Sequence, residues 1–319
     1  MTPTFFDWIL VLALISLAWK ILRAKDLFVS IVLFILFGLL SSLAWVELQA
    51  PDIALVEASI GAGVIGALFL GVLGRIESSQ IKSSDTYPRA NFTKRIVLLF
   101  LTTVLIAIAC RSILTVTENA IGLSQIVFKN LSQSGVQNPV TSVILNFRGY
   151  DTLLEIGVLF LVAISIHALH VFQPAILRTE LPESSPVLIL FLHLLTPVMI
   201  LLSAFLLWIG AEAPGGAFQA GSILTAVGIL LFLGEAQFSL NFRNKWFRLA
   251  LASGLACFLL SGISVMGNGR FFLQFPEAIS KTIILIIELL ATISIGLILL
   301  TLFAGCAGFL NPNEKRKNT

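Results

Sequence analysis

The residues of this sequence that could do chemistry begin with two carboxylates in one apolar stretch. Asp52 and Glu57 lie near the start of residues 50–74, which are otherwise apolar and rich in alanine and glycine. A carboxylate inside a bilayer costs roughly 2.5 to 3.5 kcal/mol on insertion scales, so it usually faces other helices and is functional. Glu57 would lie about 9 Å along such a helix, at about 1.5 Å per residue, where no capping role is available. We therefore expect Glu57 to carry a proton or an ion.

Asp52 has a simpler explanation, because it follows Pro51 at the expected start of the helix. Proline favours the first helical position, and the helix dipole stabilises an acid in the first turn. The sequence therefore favours a structural, capping role for Asp52 and leaves a role in an ion path open. The spacing of the two acids places them about 140° apart around a helix, so they do not share a face.

Further ionisable residues within the apolar runs form two sets at different depths. Counting inward at about 1.5 Å per residue places one set within about 6–10 Å of one membrane face and the other near the opposite face. The first set is Glu57, Glu155, Glu288 and Arg111, and the second is Glu235, His167 and His193. An arginine at the depth of the acids would lower the cost of keeping them charged. The two sets predict opposite mouths of a proton or cation path, whereas satisfied hydrogen-bonding groups are the alternative.

Two turn motifs have structural explanations of their own. Thr152 and Glu155 fit a capping box at the start of a helix, and Arg148 could pair with Asp151 across the preceding turn. A structural and a functional role for Glu155 stay equally open. Residues 210–221 contain Pro-Gly-Gly between two apolar runs, which predicts a tight hairpin because glycine supplies the positive φ that such a turn needs.

The elements that must position these residues are membrane helices. The chain of 319 residues is 57% hydrophobic and 12% charged, with a mean hydropathy of +1.00, which lies outside the range of soluble domains. We expect an all-α polytopic membrane protein with about nine spans, each long enough to cross a hydrocarbon core of about 30 Å. The predicted spans are 4–19, 27–46, 51–73, 96–116, 151–171, 187–209, 217–238, 247–267 and 282–305.

Two polar stretches, 77–91 and 173–186, divide the spans into modules of residues 1–76, 92–173 and 185–310. Apolar positions within 117–150 predict two short amphipathic helices, either at the interface or packed on other spans. Ala54, Ala58, Ala62 and Gly66 recur every four residues, and such a small-residue face lets a neighbouring helix approach closely.

Most lysines and arginines fall in loops on one side of these spans, which predicts an amino terminus outside and a carboxyl terminus in the cytoplasm. We expect a bacterial inner membrane, with the thylakoid as the alternative. The net charge of +3 does not indicate nucleic acid, since the basic residues set topology. Cys110, Cys257 and Cys306 stand alone in apolar runs, so we expect no metal site and no cofactor. Nor do we expect an enzyme.

Three motifs resemble, in order, modules of known membrane complexes. Ala50-Pro-Asp-Ile-Ala-Leu-Val-Glu-Ala58 resembles the D-type module of membrane-bound hydrogenases, and Asn138-Pro-Val-Thr-Ser-Val-Ile-Leu-Asn-Phe-Arg-Gly-Tyr-Asp-Thr-Leu-Leu-Glu155 resembles the E-type module. Ala213-Pro-Gly-Gly-Ala-Phe-Gln-Ala-Gly221 resembles the B-type signature of Mrp-type cation/proton antiporters. The chain therefore resembles a fusion of the carboxyl-terminal region of the A-type antiporter protein with the B-type protein.

This resemblance implies a membrane subunit of a sodium/proton antiporter, or of a related redox-driven complex, that moves protons or Na⁺. By position, Asp52 and Glu57 match the D-type acidic signature, and Arg148, Asp151 and Glu155 match the E-type turn. Every lysine lies in a loop or at a span end, unlike the large antiporter-like subunits, which use lysines within the membrane. We therefore expect larger membrane partners. A conducting subunit, an inert scaffold and a standalone transporter remain the alternatives.

Overall fold

The described secondary structure is entirely helical. The computed structural model describes residues 4–78, 92–115, 122–170, 186–234, 244–267 and 269–306. Within those ranges nine helical spans are long and apolar enough to cross a membrane, which confirms the predicted fold class. The first two spans are α1 Phe5–Arg23 and α2 Leu27–Glu47. The third span consists of three consecutive pieces: α3 Pro51–Val56, a π-helix Glu57–Val64 and α4 Ile65–Ser78. The fourth span is α5 Phe92–Leu114, which the short helices α6 Ser124–Asn130 and α7 Pro139–Ser142 follow, and the last five spans are α8 Gly149–His170, α9 Pro186–Ile209, α10 Ala217–Gly234, α11 Lys245–Met266 and α12 Glu277–Cys306.

The third span differs from the uniform helix that its sequence predicts. Its middle, Glu57–Val64, is a π-helix, a form that is rare and often found at functional sites. The small residues of this segment let α2 approach closely: a Cβ added to Gly38 would lie 3.2 Å from the Ala62 Cβ. Ala54, Ala62 and Gly66 are buried, so the predicted small-residue face is a helix contact.

Two short helical pieces connect α5 to α8, as predicted. The first is α6, which a turn of 3₁₀-helix follows. The second is α7, which continues as a π-helix over Val143–Phe147. Asn138 caps α7, because its side-chain oxygen accepts a hydrogen bond from the Val140 N–H at 2.9 Å. Thr141 and Ser142 are buried, so this second piece packs on protein.

The core is built around α12, which packs against α8, α10 and α11 and also meets α4. Its side chains Ile284, Ile287 and Ile295 are completely buried together with Phe258 of α11. A helix enclosed by others can hold a polar group away from lipid. By contrast, the described side chains of α5 are exposed along the whole span.

Candidate functional site

The three sequence motifs meet at one carboxylate. Asp52 Oδ1 accepts a hydrogen bond from the backbone N–H of Gly215 at 3.2 Å and lies 3.5 Å from Asn138 Nδ2. Asp52 begins the third span, Asn138 begins the short helix α7, and Gly215 lies in the hairpin between α9 and α10. One side chain therefore joins elements that are far apart in the sequence.

The segment around Asn138 is held firmly on the hairpin. Asn138 Nδ2 donates to the Ala213 carbonyl at 2.9 Å, and the backbone N–H groups of Gln137 and Asn138 donate to the Ala211 carbonyl at 2.8 and 3.0 Å. The buried Thr141 hydroxyl donates to the Gly210 carbonyl at 2.6 Å. These bonds satisfy carbonyl groups of a turn that a membrane environment would otherwise leave unpaired.

The hairpin has the backbone that its glycines predict. Gly216 has a φ of +117°, a conformation that residues with a Cβ rarely adopt. Its N–H donates to the Leu206 carbonyl at 2.9 Å, which closes the chain back on the end of α9. A Cβ on Gly210 would lie 2.7 Å from the Gly216 nitrogen. The turn is therefore tight enough to require glycine at both positions.

A second carboxylate lies on the other side of this hairpin. Glu288 of α12 is only 2% exposed, and a Cβ on Gly216 would come within 3.0 Å of its Oε1. Gln219, also buried, donates from its Nε2 to the backbone carbonyl of Asp52 at 3.4 Å, and its Oε1 would lie 3.7 Å from a Cβ on Gly216. The hairpin is thus flanked by Asp52 and Glu288.

Glu57 lies one turn further along the third span, at the start of the π-helix. Its side chain is half-buried and folds over Gly61, where a Cβ would lie 2.7 Å from Glu57 Oε1. The π-helix packs against α10 as well as α2. The π-helix that Glu57 begins therefore packs against the third module, and the lack of a side chain at Gly61 leaves room for the Glu57 carboxylate.

Asp52 stands in the first turn of α3, as expected, but its carboxylate does not cap its own helix. Ala50 is the N-cap residue, and no side chain caps that position. The place of Asp52 in the first turn agrees with stabilisation by the helix dipole, and the carboxylate in addition accepts hydrogen bonds from the Gly215 N–H and the Asn138 amide.

The turn before α8 matches its prediction in part. Arg148 and Asp151 form the expected ion pair at 2.6 Å, with both side chains exposed. The predicted capping box of Thr152 and Glu155 is wrong, because α8 begins earlier, at Gly149, and the Thr152 hydroxyl donates to the Ile144 carbonyl at 2.6 Å. The Glu155 residue is exposed on α8.

The remaining predicted residues do not join the hairpin site. Arg111 is exposed on α5, and within the described ranges it forms no ion pair with an acid, so the expected Arg111 partnership is not found. His193 is exposed, with Nδ1 2.8 Å from the Ile189 carbonyl of its own helix. His167 is exposed on α8, and Glu235 lies outside the described residues.

Three family models match the chain in sequence. Models of the D and E subunits of MBH match residues 12–78 and 93–185 respectively. A domain related to the MnhB subunit of Na⁺/H⁺ antiporters matches residues 187–306. In this order, the three matches make the chain a fusion of domains similar to the D subunit, the E subunit and the MnhB subunit. The contacts of Asp52 therefore join all three domains of the fusion.

Two curated relatives match part of this chain in sequence. The fusion is 27% identical over 228 residues to a probable K⁺/H⁺ antiporter A/B subunit of Rhizobium meliloti, covering 61% of this chain and 22% of that protein. It is 27% identical over 166 residues to the Na⁺/H⁺ antiporter A subunit of Alkalihalophilus pseudofirmus, covering 51% of this chain and 20% of that protein. The chain thus spans about a fifth of the length of these relatives.

Solved structures share the fold. A chain of the Mrp complex from a Dietzia species superposes with a TM-score of 0.75 and 19% identity, covering 97% of this chain and 35% of that one. A chain of the membrane-bound sulfane sulfur reductase, an archaeal respiratory membrane complex, gives a TM-score of 0.56 and 22% identity, covering 67% of this chain and 97% of that one. The helical arrangement of the fusion is therefore found in both kinds of complex.

Sequence reasoning missed three residues that build the site of this fusion. Asn138 and Gln219 occur in the motifs quoted above, but nothing in their spacing assigns a contact to either. Nothing in the sequence marks Thr141 as a site residue, except that it lies three positions after Asn138. A polar amide beside a glycine turn in a membrane span is the signal that could have identified Gln219, because a buried amide needs partners.

Proposed function

We propose that this chain is an integral membrane subunit of a multisubunit monovalent cation/proton antiporter. Its role is to supply buried acids to an ion or proton path and to pack against larger antiporter-like subunits. Support comes from the domain content and from relatives named as K⁺/H⁺ and Na⁺/H⁺ antiporter subunits. Sodium and potassium are both candidates for the coupling ion, since the two relatives differ in it.

The observation that carries this proposal is the hairpin flanked by two carboxylates. Asp52 bonds to Gly215, and Glu288 lies against Gly216. Acids kept inside a membrane protein are expensive and mark ion pathways or proton relays. A purely structural junction could be built from neutral amides at lower cost. We assign Asp52, Glu57 and Glu288 to the path on these grounds.

The other predicted path residues also belong to the proposal. Arg111 and Glu155 are exposed in this chain, so each needs a partner protein to cover it. The residues with this status are Glu155, Asp151, Arg111, Glu235, His167 and His193.

The membrane placement belongs to the same proposal. We infer an amino terminus outside and a carboxyl terminus in the cytoplasm of a bacterial inner membrane, with the thylakoid as the alternative. The distribution of lysine and arginine among the loops supports this orientation. Partner subunits would cover apolar surfaces such as α5, whose described side chains are all exposed.

The proposal is tested by expressing the complete set of subunits in cells that lack their own antiporters. Inside-out vesicles carrying a pH-sensitive dye should show proton exchange when Na⁺ or K⁺ is added. Deletion of this gene alone should abolish the response, and its return on a plasmid should restore it. Undiminished exchange without the chain would contradict the proposal, and the difference between Na⁺ and K⁺ would name the coupling ion.

A second function, in a redox-driven membrane complex, is favoured by one observation. The fold likeness to the sulfane sulfur reductase covers 97% of that chain, and two of the three matched models describe MBH subunits. Affinity purification of the tagged chain separates the two functions. Antiport predicts co-purification of membrane subunits alone, whereas a redox complex predicts iron-sulfur or nickel subunits among the partners.

A further inference from the structure

Glu288 is the most enclosed carboxylate of the described chain. The residue is 2% exposed, and its Oε2 has no hydrogen-bond partner in the part of the chain that the structure describes. An ionised carboxylate in such a place carries a large desolvation penalty unless it is paired and hydrogen-bonded. The group must therefore be neutralised, either by a proton or by a cation.

Gly216 of the hairpin lies next to this carboxylate. A Cβ at Gly216 would lie 3.0 Å from Glu288 Oε1 and 3.7 Å from Gln219 Oε1, so both oxygens lie next to the position that a side chain would occupy in any other residue. The φ of +117° keeps other residues from this position. The lack of a side chain at Gly216 thus lets one carboxylate oxygen approach the hairpin closely, with one carboxamide oxygen nearby.

This pair of groups fits a proton better than a metal cation. Cations such as Ca²⁺ and Mg²⁺ take six or more oxygen ligands, whereas only these two side-chain oxygens of the described residues lie within 4 Å of the point where a Cβ on Gly216 would be. A carboxylic acid needs one acceptor for its O–H, which a carboxamide oxygen supplies. Protonation of the carboxylate removes its charge without requiring further ligands.

No charged group on the helices around α12 neutralises Glu288 in the part of the chain that the structure describes. Lys281 pairs with Glu212 at 3.3 Å, and Arg148 pairs with Asp151 at 2.6 Å. None of the other ionisable groups on these elements has an ion pair or hydrogen bond to Glu288 in the described ranges. Those groups include Asp52, Glu57, Tyr150, Glu155, His193, Lys245, Arg248, Cys257 and Glu277.

We propose that Glu288 binds the transported proton beside Gly216, with the Gln219 carboxamide as the neighbour that positions it. This inference rests on the proposed function and goes beyond it, because it assigns this site to the proton and places the metal cation elsewhere. Glu288 takes up a proton from water to become a neutral carboxyl, and releases it to water or to the next acceptor. Gln219 holds the O–H in place and is a positioning residue.

Infrared difference spectroscopy on the purified complex tests protonation without relying on transport. The wild type at neutral pH should show a carboxylic-acid C=O band that shifts in D₂O and is missing in Glu288→Gln. Gln219→Leu should retain this band at a changed frequency, because its hydrogen-bonding neighbour is gone. Glu277→Gln, at the exposed start of the same helix, is the matched control and should leave the band unchanged.

Addition of NaCl or KCl distinguishes a proton from a metal cation at this site. A band that persists at high salt supports the proposal, whereas a band that disappears with either salt overturns it, as does a Glu288→Gln spectrum identical to wild type. If deletion of the whole gene leaves antiport intact, the proposed function fails, yet the infrared result still decides what Glu288 binds.

Transport by the assembled complex gives a second readout. Glu288→Gln should lower cation/proton exchange by roughly a hundredfold or more, the lower end of what a positioned proton-transfer group typically contributes. Glu288→Asp should keep part of the exchange with a displaced pH profile, since it retains an ionisable group. Assembly is checked by co-purification of the other subunits. Exchange by an assembled Glu288→Gln complex with the wild-type rate and pH profile would overturn the proposal.

Discussion

Asp52 and Gly215 are 163 positions apart in the chain and are joined by a hydrogen bond of 3.2 Å between the carboxylate and the backbone N–H. The same carboxylate oxygen lies 3.5 Å from the Asn138 amide. Hydrogen bonds to a carboxylate acceptor are stronger than those between neutral groups, so this side chain holds the three domains together. A movement of the hairpin would be transmitted to the third span, which also carries Glu57.

Replacing Asp52 by alanine should weaken the joint between the domains. The Gly215 N–H and the Asn138 amide would lose their shared acceptor, at a cost of about 1–2 kcal/mol for partly buried donors. We expect a lower melting temperature of the purified complex and reduced co-purification of its subunits. Glu47→Ala is the matched control, because Glu47 is an exposed acid at the end of α2. Equal melting temperatures for the two variants would contradict this role.

Glu57→Gln should abolish antiport while the complex still assembles. The amide matches the carboxylate in size but cannot exchange a proton, so transport and assembly are separated. Vesicle exchange assays and co-purification measure the two properties, with Glu47→Gln as the control for a lost acidic charge. A fully active Glu57→Gln complex would favour the scaffold alternative instead.

Two glycines of the same π-helix offer a paired test of Glu57 placement. A Cβ at Gly61 would lie 2.7 Å from Glu57 Oε1, whereas a Cβ at Gly63 would meet only the Ala58 carbonyl oxygen, at 3.5 Å. Gly61→Ala should displace the carboxylate and reduce exchange, with little effect on stability because a flexible side chain moves aside. Gly63→Ala should resemble the wild type in vesicle exchange. Similar activity of both variants would show that Glu57 needs no fixed position.

Gly38→Leu should destabilise the contact between α2 and the third span. A side chain there meets the backbone of Ala62 at 3.3 Å, which cannot move aside, and overpacking of this kind costs about 1–3 kcal/mol. Gly74→Leu is the control, since a Cβ at Gly74 has no neighbour within 4 Å among the described residues. Thermal unfolding in detergent should give a lower melting temperature for Gly38→Leu than for Gly74→Leu. A wild-type melting temperature for Gly38→Leu would mean that α2 and the third span can separate without loss of stability.

Adjacent hydroxyls in α7 predict opposite outcomes. The Thr141 hydroxyl donates to the Gly210 carbonyl at 2.6 Å, whereas the buried Ser142 hydroxyl has no partner in the described chain. Thr141→Val should destabilise the protein by about 1–2 kcal/mol, because it leaves a buried carbonyl unpaired. Ser142→Ala should be neutral or stabilising, because it removes an unpaired polar group. Melting temperatures measure both, and equal losses would contradict the assigned bond.

Several features follow from local rules and were predictable. Proline at position 51 and the Pro-Gly-Gly turn predict a helix start and a hairpin, because φ is restricted at proline and free at glycine, and both occur in the structure. The Arg148 and Asp151 ion pair also follows from sequence, since the two residues lie within reach across one turn. The capping box of Thr152 fails because the Ile144 carbonyl, eight residues earlier, captures its hydroxyl.

The sequence by itself determined the membrane class, the spans, their small-residue faces and the three motifs, because hydrophobicity, length and glycine or proline chemistry act over a few neighbouring residues. Only the tertiary structure decided that the Asp52 carboxylate accepts a hydrogen bond from the Gly215 N–H, that Glu288 lies against Gly216, and that Arg111 pairs with no acid among the described residues. The physical reason is that these relationships depend on how helices distant in the chain pack together, and depth along a span says nothing about which neighbour a side chain faces.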